Sequence, residues 1–129
     1  MILTTTLCAG AAAAILNIWL GLRIGQLRTT LKISIGDGGS EPLVRRMRAQ
    51  ANFIENAPLV LLLIAAIELA RPGDTVLMAI AAIFTVGRVL HGLGMDGGAL
   101  AAGRMIGTLS TLLVQLALAI WAVKIALGY

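Results

Sequence analysis

The chain has 129 residues, of which 59% are hydrophobic and only 12% charged, and its mean hydropathy is +0.96. That composition excludes a water-soluble globular domain and places the chain among polytopic membrane proteins. The formal charge of +4 and the pI near 10.2 do not indicate nucleic acid, because the cations are few, interspersed with hydrocarbon and without aromatic interleaving.

A helix needs roughly 20 apolar residues to cross the hydrocarbon. Four stretches qualify, about 3–22, 50–69, 75–95 and 105–127. They predict an all-α bundle of four transmembrane helices, with residues 1–129 as a single domain because the loops leave no room for another. Helix one is expected from Ile2 to Gln26, and its small-residue run Ala9 to Ala14 permits close approach of a neighbouring helix. No cationic leader or small-residue cleavage site precedes it, so it reads as a retained helix. Cys8 stands alone in an apolar run and reads as a small buried hydrophobe. Trp19, a turn before Arg23, reads as an interfacial anchor, and composition alone makes Arg28 a snorkelling residue.

The cluster Ile35-Gly36-Asp37-Gly38-Gly39-Ser40 is turn-forming. It lacks the Lys-Ser/Thr pair and flanking strand of a phosphate loop. Helix two is expected from Pro42 to Leu69, with Ser40 or Glu41 near its cap. Within it, Arg48, Asn52 and Glu55 stand at i, i+4 and i+7 on one face. Directly after comes Leu59-Val60-Leu61-Leu62-Leu63-Ile64, so a cation, an amide and a carboxylate lie on a helix that enters a membrane. Ionisable groups there are costly and mark a functional site by default. Pro58, one turn past Glu55, is expected to kink the helix or free the Ile54 carbonyl. Glu68 reads as half of a surface pair with Arg71.

Asp74 or Thr75 is expected to cap helix three, running from Val76 to Leu93. Arg88 and His91, at i and i+3, share a face. No second histidine or cysteine accompanies His91, so a metal site is not expected. Helix four is expected from Ala99 to Leu127, with Arg104 near its start, Gln115 as an interhelical hydrogen-bonding group, and Trp121 and Tyr129 at the outer interface. Arg23, Arg28, Lys32, Arg45, Arg46 and Arg48 surround the first loop, and Arg88 and Arg104 flank the third. The opposite side has only Arg71 and Lys124. The positive-inside rule therefore puts the first and third loops in the cytoplasm and both termini outside.

These positions gather Arg28, Arg48, Arg88 and Arg104 at one membrane face with Gln50, Asn52, Glu55 and His91. So many guanidiniums around one carboxylate leave positive charge for an anionic ligand. No hydrolytic triad fits, since no reactive Ser or Cys neighbours His91.

The run Arg48-Ala49-Gln50-Ala51-Asn52-Phe53-Ile54-Glu55-Asn56-Ala57-Pro58, with Gly87-Arg88-Val89-Leu90-His91, resembles the signature of the membrane-associated proteins in eicosanoid and glutathione metabolism, the MAPEG family. The loop Gly36-Asp37-Gly38-Gly39 is similar to that of its bacterial branch. The resemblance implies a homotrimer in a bacterial inner membrane, with glutathione bound between subunits at the cytoplasmic side and a lipophilic small molecule entering from lipid. It implies that Arg48, Gln50, Asn52 and Glu55 hold glutathione, that Arg88 and His91 line the same pocket, and that Arg28 reaches in from the neighbouring chain. Arg104, thirteen residues after His91, would face the thiol. Asn56 and Met95 depart from the family pattern, where many relatives have Tyr and an aromatic hydroxyl. The implied function is a glutathione-dependent transferase or peroxidase. A non-catalytic lipid-binding scaffold of the same fold and a small four-helix multidrug exporter are the alternatives.

Overall fold

Where the sequence supplies a cap, a helix starts. In the computed structural model, which describes residues 1–129, Ser40 accepts from the Leu43 amide and opens α2 (Glu41–Ala70) with Pro42 in its first turn. Asp74 accepts from the amides of Val76 and Leu77 and opens α3 (Thr75–Gly94). A single 3-10 turn, Gly98–Leu100, leads into α4 (Ala102–Ala126), so the last helix begins slightly later than expected. α1 (Thr4–Leu31) runs past Gln26 to a left-handed cap at Lys32. α2 continues unbroken through Pro58, whose missing N–H removes the usual partner of the Ile54 carbonyl. All four helices are long and apolar enough to cross a membrane, and the fold is the expected all-α bundle.

α1 has no capping side chain of its own, since Leu3 holds the N-cap position. The cap comes from α2. Glu68 is buried, and its carboxylate accepts from the Thr5 amide, the Thr6 amide and the Thr6 hydroxyl, each at 2.7 Å. This corrects the expected Glu68–Arg71 surface pair. A buried carboxylate must be hydrogen-bonded, and the exposed amides and positive dipole end of α1 satisfy it. Arg71 instead donates to the backbone oxygen of Tyr129 at 2.8 Å.

α1 packs on α2 and α3, and α4 also packs on α2 and α3, but α1 and α4 do not touch. They occupy diagonal corners. The buried face of α1 is Thr5, Ala9, Ala13, Leu16 and Leu20, which leaves Cys8 exposed one position off that stripe rather than buried as expected. Trp19, read as an interfacial anchor, also makes a contact within the bundle. It is half-buried and lies between α1 and α3, close enough that a Cβ on Gly92 would come within 2.8 Å of its ring. The α3–α4 seam is closer still. Gly87 and Gly94 face Gly103 and Gly107, and a Cβ on any of the four would meet an atom of the partner helix within 2.4 Å. Leu109, Leu112, Leu113, Leu116, Ile120 and Val123 remain exposed on α4, an apolar face suited to lipid.

Candidate functional site

At one end of the bundle a carboxylate from the α3–α4 loop gathers two cations. Asp96 pairs with Arg23 of α1 and with Arg46 of α2, the latter at 3.2 Å. Arg23 also donates to the Gly92 carbonyl at 2.7 Å, with its guanidinium 4.9 Å from the Trp19 ring centre. Arg46 donates to the Arg23 carbonyl at 2.7 Å. The first and third loops therefore share an end of the bundle, and the segment between His91 and Arg104 is tied to α1 and α2.

The site residues anticipated from the sequence fall into three places. Along α1 and α2 runs a groove of about 570 Å³ lined by Ile24, Arg28, Met47, Gln50, Ile54 and Glu55. Arg28 is held beside it by the Gly36 carbonyl at 2.7 Å and by Met47 sulfur at 3.7 Å. Gln50 is fixed across the helix pair by a 3.1 Å bond from its amide nitrogen to Asn17 Oδ1. Arg48 and Glu55 stand 3.9 Å apart with more than half of each side chain exposed, so this pair is loose and open to competition.

The second place is the bundle interior. Arg88 is 2% exposed and His91 4%. The Arg88 guanidinium donates to Asn52 Oδ1 at 2.8 Å and to Thr111 Oγ1 at 3.2 Å, and meets His91 Nδ1 at 3.3 Å. It lies 5.9 Å from the Phe53 ring centre, and its Nε is buried with no partner. None of its partners is a carboxylate. Asn52 thus turns from the exposed Arg48–Glu55 face towards α3, which an i, i+4, i+7 reading could not show. Asn56 adds a branch, donating to the Asn52 carbonyl at 2.7 Å and accepting from Gln115 at 2.8 Å. Gln115 therefore makes the interhelical bond expected of it, with Asn56 as its partner.

Arg104 is the third place. It lines a separate outward cleft with Ala101, Met105, Thr108 and Leu109, on the helix diagonal to α1. A single chain brings together Arg88, His91 and Asn52, and separately Arg28, Gln50 and Glu55; Arg104 hydrogen-bonds to neither group, though its charge lies near enough to act on His91. Thr111 and Asp96 were missed by sequence reasoning. Thr111 stands one turn after Gly107, and the Gly103-x-x-x-Gly107 spacing could have revealed a seam that carries it inward.

No curated protein matches the chain. The family model described as "MAPEG family" matches residues 6–124. At the level of that family the match implies a membrane function of the glutathione-dependent transferase or peroxidase type, or one related to it. With four apolar spans and a match over nearly its whole length, the chain belongs to the MAPEG family.

Proposed function

We propose that the protein is a membrane-bound glutathione-dependent transferase or peroxidase acting on a lipophilic electrophile or hydroperoxide, with its site completed between the subunits of a homotrimer. The observation that carries this reading is the diagonal placement of α1 and α4. Arg28 borders one groove and Arg104 another, on helices that do not touch. A neighbouring copy is the simplest means of setting one guanidinium opposite the other, since closed symmetric assemblies repeat one contact about an axis.

The residues present suit the tripeptide. Arg28 and Arg48 offer forks for its carboxylates. Glu55, held only loosely by Arg48 at 3.9 Å, is free to take its amine, while Asn52 and Gln50 suit its amides. Arg88 and His91 stand behind Asn52 on the inner side of the same region. Glutathione supplies a thiol, which becomes the nucleophile as thiolate. A guanidinium such as Arg104 stabilises negative charge on sulfur and lowers a thiol pKa of about 8.5 towards neutrality. The apolar faces of the bundle would admit the second substrate from lipid, and the cation-rich end of the bundle would face the cytoplasm with both termini outside.

The test is equilibrium binding of glutathione to the purified protein in detergent, followed by thiolate absorbance with and without Arg104→Ala. Binding with a thiolate band that disappears in the variant supports the enzyme. Binding with no thiolate in the parent protein identifies a lipid-binding scaffold instead, and absence of binding overturns the reading.

A further inference from the structure

We infer that Arg88 is a positioning residue that orients its neighbours: by occupying the one lone pair of His91 Nδ1 and one of the two on Asn52 Oδ1, it turns the N–H groups of both side chains away from itself and towards a ligand. The argument rests on what a guanidinium can do. Arginine carries five N–H donors and no acceptor. Any polar atom in hydrogen-bond contact with it must therefore be an acceptor. At Asn52 this assigns the contacting atom as the amide oxygen, 2.8 Å from Arg88 Nη2, so the NH2 group points the other way. At His91 it requires an unprotonated Nδ1, 3.3 Å from the same Nη2. The ring proton then sits on Nε2, and His91 is neutral. Neither Asn52 Nδ2 nor His91 Nε2 finds an acceptor within the chain.

Asn and His are each able to donate or accept; Arg88 removes that freedom at His91 and, at Asn52, fixes which end of the amide faces outward. Arg88 can do so because it is itself immobilised. It is 2% exposed, Thr111 accepts from its other terminal nitrogen at 3.2 Å, and Phe53 lies under its face. A group that meets either N–H beside a buried positive charge that no carboxylate neutralises is recognised if it is an acceptor. Carboxylates and amide carbonyls meet that requirement, and ammonium groups do not. Within the proposed function, on which only this ligand class rests, Arg88 would select the tripeptide's oxygens through Asn52 and His91 without touching them.

His91 is the only histidine in the chain, so its ring signals need no assignment by mutation. The experiment is nitrogen-15 NMR of the histidine-labelled full chain in detergent without glutathione, for the parent, Arg88→Met and Thr111→Val. The parent should show a single tautomer at neutral pH, with Nδ1 at the position of an unprotonated nitrogen, Nε2 at that of a protonated one, and coupling across the hydrogen bond to an Arg88 Nη proton. In Arg88→Met both ring nitrogens should move towards averaged positions. In Thr111→Val they should move the same way by less. A protonated Nδ1 in the parent, or an unchanged ring spectrum in Arg88→Met, overturns the assignment. If Arg88→Met does not fold, the parent's cross-bond coupling and the Thr111→Val shift decide it. Because no glutathione is present, a fixed tautomer combined with failed glutathione binding would remove the proposed function and leave this inference standing.

Discussion

Gly107→Ala should destabilise the bundle, and the structure gives the size of the effect. A Cβ built there lies 2.4 Å from the Gly87 carbonyl oxygen, 2.4 Å from His91 Cβ and 2.9 Å from His91 Cα. Carbon atoms in contact settle at roughly 3.5–4.0 Å, so the helices must separate by about 1 Å. The obstacles are backbone and a ring-bearing Cβ, neither of which can swing aside. Overpacking of this kind costs about 1–3 kcal/mol, and replacing a helical glycine by alanine returns about 1 kcal/mol of propensity. The net expectation is a loss of up to about 2 kcal/mol, and a deficit of about 1–3 kcal/mol against a glycine-to-alanine change that meets no neighbour. Gly25→Ala is the control, because nothing lies within 4 Å of its Cβ and only the propensity gain remains. Reversible unfolding of both variants in mixed micelles measures the contrast. Equal stability of Gly107→Ala and Gly25→Ala would refute the claim that backbone contact sets the α3–α4 distance.

Glu68→Ala leaves the Thr5 and Thr6 amides and the Thr6 hydroxyl without their acceptor, so a loss of about 1–3 kcal/mol is expected, with faster hydrogen exchange at those two amides and an intermediate effect for Glu68→Gln. Asp96→Asn weakens the contacts with Arg23 and Arg46 at a partly exposed site, which should cost less than about 1 kcal/mol and shrink further as salt is raised, both read by unfolding at two ionic strengths. Gln115→Leu removes the bond to Asn56 and should cost only about 0.6 kcal/mol, the typical value for a hydrogen bond between membrane helices. A loss several times larger would mean that the Asn56–Asn52 branch also carries the geometry around Arg88.

What the sequence discloses here is what periodicity and local chemistry encode. The four spans, the caps at Ser40 and Asp74, and the polar role of Gln115 follow from hydropathy and nearest-neighbour spacing. The cap on α1 does not, because its acceptor lies 63 residues away in α2 and no local pattern links Thr5 to Glu68. The one available clue was an absence: no capping residue precedes Thr4, so its amides had to find a partner elsewhere. Cys8 was misplaced for a related reason. An apolar residue in an apolar helix carries no label saying which face meets protein and which meets lipid. The eight site residues were legible as residue types, but their distribution was not. Asn52 turns inward to Arg88 while Arg104 turns outward on the diagonal helix, and only the order of helices around the bundle distinguishes those directions.

The α3–α4 seam and the buried cation form one construction. A hydroxyl has one proton and two lone pairs. The Thr111 hydroxyl donates its proton to the Gly107 carbonyl at 2.8 Å, which turns a lone pair towards Arg88 Nη1 at 3.2 Å. Threonine is short, so it reaches the guanidinium only because glycines at 87 and 107 let the helices approach. Widening the seam by about 1 Å would carry Thr111 to about 4 Å from the guanidinium, beyond hydrogen-bonding distance. Arg88 would then hold a buried charge with fewer partners still, next to an Nε that already has none. The close glycine contact therefore sits upstream of the site's electrostatics: it sets the helix spacing that lets a neutral network, with no carboxylate in it, keep a charge inside the bundle.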